Sequence, residues 1–277
     1  MPLTASTSYA ASKTDEPVLL HERIGAIAVL TLNRPQQRNS LSEALIAALA
    51  AELKVIAADR TVRAVVIAAN GSAFCAGHDL KELTTARAGP DRGRATFERI
   101  MNDCVAMMQA ILALPQPVIA AINGVATAAG CQLVASCDLA VASSEAKFAT
   151  PGVDIGLFCS TPMVALTRNV ARKHAMEMLL TGILVPAGDA QRMGLINRVV
   201  APGNERNAAI ELAQQIAAKS ALTVKIGKQA FYRQTEMPLA DAYRYAASVM
   251  VENMLARDAE EGIGAFIEKR KPTWEDR

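Results

Sequence analysis

The sequence predicts an α/β fold: strands alternate with helices up to about residue 200, and helices continue to the C-terminus. Short runs rich in Val, Ile and Leu alternate with segments whose apolar residues repeat at helical spacing. Beyond Val200 only the helical spacing remains, which implies an α/β core with a helical C-terminal extension. Composition agrees. Of 277 residues, 51% are hydrophobic but only 4% aromatic, so the core is built from Ala, Val, Ile, Leu and Met. This length suits one large domain with an appendage, read here as a tail (1–17), a core (18–200) and a helical region (201–277).

The tail is polar, rich in Ser, Thr and Ala, and has neither an apolar stretch nor Arg, so it reads as disordered rather than as a targeting segment. The first clear strand is Gly25 to Leu32, ended by Asn33, Arg34 and Pro35. Ser40, Leu41, Ser42 and Glu43 form a capping-box pattern before Leu45, Ile46, Leu49, Leu53 and Ile56 at helical spacing. Ala64 to Ala69 is a second buried strand, turned by Asn70 and Gly71. The small-residue segment Phe74 to Leu80 then opens a helix, and Thr84 to Arg94 reads as a mobile surface loop. A helix bearing Phe97, Ile100, Met101, Cys104, Met107, Met108 and Ile111 follows. Pro117 to Ile122 is a third strand, with Asn123-Gly124, a small-residue run and the helix Cys131 to Ser136 behind it. Further strands fall at Leu139 to Ala142, near Phe148, and at Asn197 to Val200.

Several function classes are excluded. A net charge of +2 with no basic block or aromatic stripe argues against nucleic acid. No apolar run is long enough to span a bilayer. The five cysteines have no zinc spacing and read as reduced thiols of a cytosol-like, cytoplasmic compartment. No nucleotide-binding glycine motif occurs.

Two segments, Ala64 to Leu80 and Pro117 to Val134, share one design: buried strand, Asn-Gly turn, small residues, helix. A helix N-terminus leaves about four backbone N–H groups without partners. Small residues let a ligand approach them closely. Two such ends facing one another would aim two donors at one oxygen, an oxyanion hole suited to a thioester carbonyl. The same pattern is also the ordinary way to pack an α/β unit, and spacing alone does not decide between them.

Asn33-Arg34-Pro35 with Asn39-Ser40-Leu41, then Phe74-Cys75-Ala76-Gly77-His78-Asp79-Leu80, resembles the enoyl-CoA hydratase/isomerase, or crotonase, superfamily. The resemblance continues through Pro117 to Gly124, Ala128 to Asp138 and Phe148 to Gly152, and reaches Glu261-Gly262 and Phe266 to Lys271. It implies a crotonase-type α/β spiral of ββα turns, with C-terminal helices packing across a homotrimer or a dimer of trimers. It also implies an acyl-CoA thioester as ligand, with coenzyme A entering only as part of the substrate and no metal or redox cofactor. The oxyanion donors fall on the backbone N–H groups of His78 and Ala129. The coenzyme groove falls near Gln37, Arg38, Ala76 and Lys81, with Lys269 of a neighbouring subunit reaching the coenzyme phosphates. The usual aromatic partner of that lysine aligns with Met250. The helix from Phe97 to Ile111 would wall the acyl chain.

The sequence departs from the family at the two glutamates that hydrate enoyl thioesters. Gln132 stands at the first position and Gly152 at the second. Neither exchanges a proton at neutral pH, although Gln132 can orient a water. Asp154 reads as a turn or cap residue, Asp79 as a cap or ion-pair partner, and Cys75, Cys131 and Cys159 as packing. His78 could titrate near neutral pH, but the resemblance uses its backbone. The expectation is an acyl-CoA-binding family member in which ordinary hydration is weak or absent. A non-catalytic binder, and an isomerase, thioesterase or decarboxylase, remain as alternatives.

Overall fold

The computed structural model describes residues 16–277; the expected disordered tail lies outside the described residues except at its end. There Pro17 is already tied down, its carbonyl accepting from Asn33 Nδ2 at 2.9 Å.

The chain opens with β1 (Leu19–Ile24), antiparallel to β2 (Ile27–Leu32). Sequence reading missed β1 because four of its six residues are exposed and it lacks a continuous apolar run. Gly25, placed in the strand by sequence, instead turns the hairpin at φ +60°. After α1 (Glu43–Ala58) come β3 (Ala64–Ala69), β4 (Ala73–Cys75), α2 (Leu80–Ala86) and α3 (Arg94–Ala113). Next are β5 (Val118–Ile122), β6 (Val125–Thr127), α4 (Ala129–Ser136), β7 (Leu139–Ser143), β8 (Lys147–Ala149) and α5 (Ser160–Leu166). Then follow α6 (Arg172–Thr181), β9 (Val185–Pro186), α7 (Ala187–Met193), β10 (Arg198–Val200) and α8 (Glu205–Ala217). The chain ends in α9 (Ala221–Gln234), α10 (Leu239–Met254) and α11 (Arg257–Ile267). No helix among the described residues is long and apolar enough to cross a membrane.

Three successive stretches repeat one unit: a strand in a large sheet, a short strand in a small sheet, and a helix. The large sheet has the order β1-β2-β3-β5-β7-β10 and is parallel from β2 onward; the small one has the order β4-β6-β8-β9. This is the ββα spiral that the resemblance implied. Sequence reading found only β8 of the small sheet, because strands of two or three residues have too few positions to show a period.

The central strands are continuous apolar runs because both faces of the sheet are buried. Leu30, Leu32, Ile67 and Ile122 face the core formed with α1, α3 and α4. Ile27, Val29, Val66 and Ile119 alternate onto the opposite face against Ala209, Ile210 and Ala213 of α8. The first helix of the C-terminal region is therefore a layer of the core.

Two local expectations need correction. The cap of α1 is Ser42, whose Oγ accepts from Leu45 N at 3.2 Å, rather than Ser40 of the capping-box pattern. Ser40 instead donates to Asp79 Oδ2, and Glu82 from α2 reaches the N–H of Glu43. The segment read as a loop from Thr84 begins as the last turn of α2. Its remainder is held by Asp91, which accepts from the N–H groups of Gly93 and Ala95 at the start of α3.

A buried ion pair fastens α9 to the core. Lys228 Nζ lies 2.7 Å from Asp138 Oδ2 and donates to the carbonyls of Ile111 and Gln116, each at 3.0 Å. Asp138 also accepts from Tyr232 Oη and Val118 N. Removing one partner of a buried pair leaves an uncompensated charge. Lys228→Ala is therefore expected to lower unfolding free energy by about 3 kcal/mol, measured by urea denaturation.

Candidate functional site

The site forms where the ends of β4 and β6 meet. β4 and β6 run parallel, with Cys75 opposite Ala126. Beyond them the chain must turn sharply twice. At Gly77 it does so with φ +93°, and at Ala128 with φ +50° and ψ −119°. For an alanine this is a sparsely populated conformation, with a typical cost of about 1–3 kcal/mol. Its N–H stays in the small sheet, donating to Ala149 O at 2.9 Å. The next N–H, that of Ala129, is the first of α4 and has no carbonyl within the helix to bond.

His78 presents a second such donor. It forms an isolated parallel bridge with Leu41, in which Leu41 N donates to Gly77 O and Asp79 N donates to Leu41 O. Successive backbone groups alternate in direction along an extended chain, so the N–H of His78 faces away from Leu41, toward β6 and α4. Neither the His78 nor the Ala129 N–H donates to a protein acceptor among the described residues.

The approach of the two segments depends on two glycines. A Cβ on Gly77 would lie 2.9 Å from Ala128 Cβ and 3.3 Å from Ala129 N. A Cβ on Gly130 would lie 2.0 Å from the carbonyl oxygen of Cys75. Only backbone against backbone fits there.

A polar clamp fixes the His78 loop. Asn39, fully buried, donates through Nδ2 to Asn70 O and Ala73 O, each at 2.8 Å, and accepts from Arg34 N. Arg34 Nη2 lies 3.0 Å from Asp79 Oδ2, and Asp79 Oδ1 accepts from Lys81 N to cap α2. Burial works against the Asp79 charge, but hydrogen bonds from Arg34, Lys81 N and Ser40 hold its carboxyl below the usual range. Asp79 thus has both roles read for it. Arg34 and Asn39, conspicuous in sequence only as motif letters, prove to be the scaffold of the loop.

The structure brings some of the other sequence-predicted residues together. Ala76 N donates to Arg38 O at 3.0 Å, so Gln37, Arg38, Ala76 and Lys81 border one loop cluster. Lys269 is different: it stands exposed beyond α11, next to the Arg270–Glu261 ion pair, and among the described residues it makes no hydrogen bond to that cluster.

Beside the Arg34–Asp79 ion pair, several side chains of the two segments are neutral. Gln132, one turn into α4, is buried and its Oε1 has no partner. Thr150 Oγ1 and His78 Nε2 are likewise buried and unpartnered. Thr150, not singled out in the sequence, follows Ala149, which pairs with Thr127 just before the Ala128 turn. Burial lowers the His78 pKa, so its imidazole is neutral at neutral pH. Burial pushes the thiols of Cys75 and Cys131 up to about 12, and it raises Cys159 as well. None is a thiolate nucleophile at neutral pH. Asp154 is exposed, and its carboxylate lies beside Gly182, where a Cβ would sit 3.0 Å from Oδ2.

The enoyl-CoA hydratase/isomerase family pattern matches residues 22–277. The chain is 46% identical over 258 residues to enoyl-CoA hydratase domain-containing protein 3, mitochondrial, of Xenopus laevis, covering 93% of this chain and 86% of that protein. It is 44% identical over 252 residues to the human protein of that name, covering 91% and 82%. That named compartment gives no support to the cytoplasmic expectation. Among solved structures, an enoyl-CoA hydratase from Mycobacterium smegmatis superposes with a TM-score of 0.89 at 52% identity, covering 94% of this chain and 99% of that one. The human domain-containing protein 3 superposes with a TM-score of 0.88 at 42% identity, covering 93% and 100%. With the ββα spiral and nearly full coverage on both sides, the chain belongs to the enoyl-CoA hydratase/isomerase family.

Proposed function

We propose that the protein binds an acyl-CoA thioester and polarises its carbonyl oxygen between the backbone N–H groups of His78 and Ala129. Ordinary enoyl-CoA hydration is weak or absent. The observation that carries this reading is the pair of unpartnered donors on two segments in van der Waals contact through Gly77. Both belong to rigid backbone, so little reorganisation accompanies charge developing on the oxygen. The coenzyme lies along Gln37, Arg38, Ala76 and Lys81. Lys269 reaches it from a neighbouring copy in a homotrimer or dimer of trimers. Support for that assembly comes from the bare apolar side chains of the C-terminal helices, including Phe231, Met250, Leu255, Phe266 and Ile267. Coenzyme A enters as part of the substrate, and no metal or redox cofactor takes part.

Hydration adds water across a double bond and needs a group to move its protons. Gln132 can hold a water but cannot accept its proton, and Gly152 has no side chain. One positioned acid or base contributes about 10²–10⁴-fold to rate. Crotonyl-CoA hydration is therefore expected at least about 100-fold slower than in a family member with both glutamates, followed by loss of the enoyl chromophore. An ordinary family rate would refute this.

The carbonyl cradle has its own readout. S-butyl-CoA, a thioether without the carbonyl, is expected to bind about tenfold more weakly than butyryl-CoA, consistent with about 0.5–1.5 kcal/mol for each hydrogen bond lost. Calorimetric titration measures this, and equal affinities would remove the cradle from the reading.

The side chain of His78 is separable from its backbone. Its folded pKa is lowered, so the unfolded chain binds the proton more readily, and stability is lost as pH falls below about 6.5. His78→Gln is expected to flatten the fall in melting temperature on the acid side of that value. It should keep the preference for thioester over thioether.

A further inference from the structure

The position of the second family glutamate is occupied as well as vacated. Gly152 is buried beside the Cys159 sulfur. A Cβ on Gly152 would lie 3.0 Å from that sulfur, 3.3 Å from Cys159 N and 2.9 Å from the Leu157 carbonyl oxygen. Contacts this short require a neighbour to move. The 157–159 segment is itself held to Gly152 by Leu157 N donating to Gly152 O at 2.9 Å. Cys159 is only 6% exposed and begins α5, which packs on α4. Gln132, with its buried unpartnered Oε1, projects from α4.

We infer that Gly152 and Cys159 act as one specificity-determining unit, in which the sulfur fills the space beside Gly152 and keeps any acid out of this side of the site. This rests on the acyl-CoA reading only for its consequence. The loss of hydration is then a property of two residues, and restoring a carboxylate at 152 also requires removing the sulfur at 159. Cys159 is a positioning residue here, acting through residue 152 and never as nucleophile.

A melting cycle without ligand tests the contact. Gly152→Ala is expected to lower the melting temperature, and to lower it less than half as much when Cys159→Ala is already present. Equal losses in the two backgrounds overturn the proposal. Hydration of crotonyl-CoA supplies a second readout. Gln132→Glu with Gly152→Glu is expected to gain nothing over wild type, whereas adding Cys159→Ala raises hydration at least tenfold. Hydration restored with Cys159 in place overturns the proposal, as does a folded triple variant that gains nothing. Failure of the acyl-CoA reading is seen separately, as absence of crotonyl-CoA binding by the wild-type protein.

Discussion

Everything chemical in this molecule depends on one close approach of backbone to backbone. The end of β4 reaches the start of α4 only because Gly77 and Gly130 have no Cβ; a methyl group on Gly130 would fall 2.0 Å from the Cys75 carbonyl oxygen. The large sheet supplies the rigidity that makes this approach useful. Its strands are buried on both faces, so their ends are fixed relative to one another before either loop is built. The Arg34–Asn39–Asp79 clamp then removes the remaining freedom of the His78 loop. The strained Ala128 turn does the same for the other donor, dividing two consecutive N–H groups between the sheet and the site.

How much of this was legible in the sequence follows the length of each signal. The long apolar strands, the helix from Arg94 and the run of C-terminal helices each repeat a period several times. The small sheet does not, since its strands have two or three residues, and β1 shows mostly exposed side chains. The capping error at α1 has a similar origin. Ser40 and Ser42 both satisfy the local pattern, and only the distant Asp79 and Glu82 decide which of them caps. At the site, the two strand–turn–helix segments were visible, but their contact was not, because it spans about fifty residues of sequence. The opposite positions of Arg38 and Ala76 in one hydrogen bond are of the same kind.

The electrostatic character of the site was the least legible. Cysteine and histidine are each compatible with proton transfer on paper. Burial decides otherwise here. The Cys75 and Cys131 thiols are raised to about 12 and His78 is lowered, so these three side chains are uncharged at neutral pH. Composition cannot report that, because the shift comes from neighbours and not from the residue.

Two fixed donors beside neutral thiols, amides and an imidazole constrain chemistry in a definite direction. Backbone N–H groups lower the energy of an enolate once its charge appears, but they remove no proton to create it. Orphaned amide and hydroxyl groups such as Gln132 and Thr150 can hold a polar atom or a water in register, again without accepting a proton. On the proposed function, the protonated thiols and neutral imidazole favour binding of the thioester over turnover by acid–base exchange. On the proposed function, the carbonyl cradle and the excluded acid are two outcomes of one packing arrangement. Helix α4 supplies the Ala129 donor at its first residue, carries Gln132 one turn later, and packs against α5, whose capping Cys159 closes the space beside Gly152.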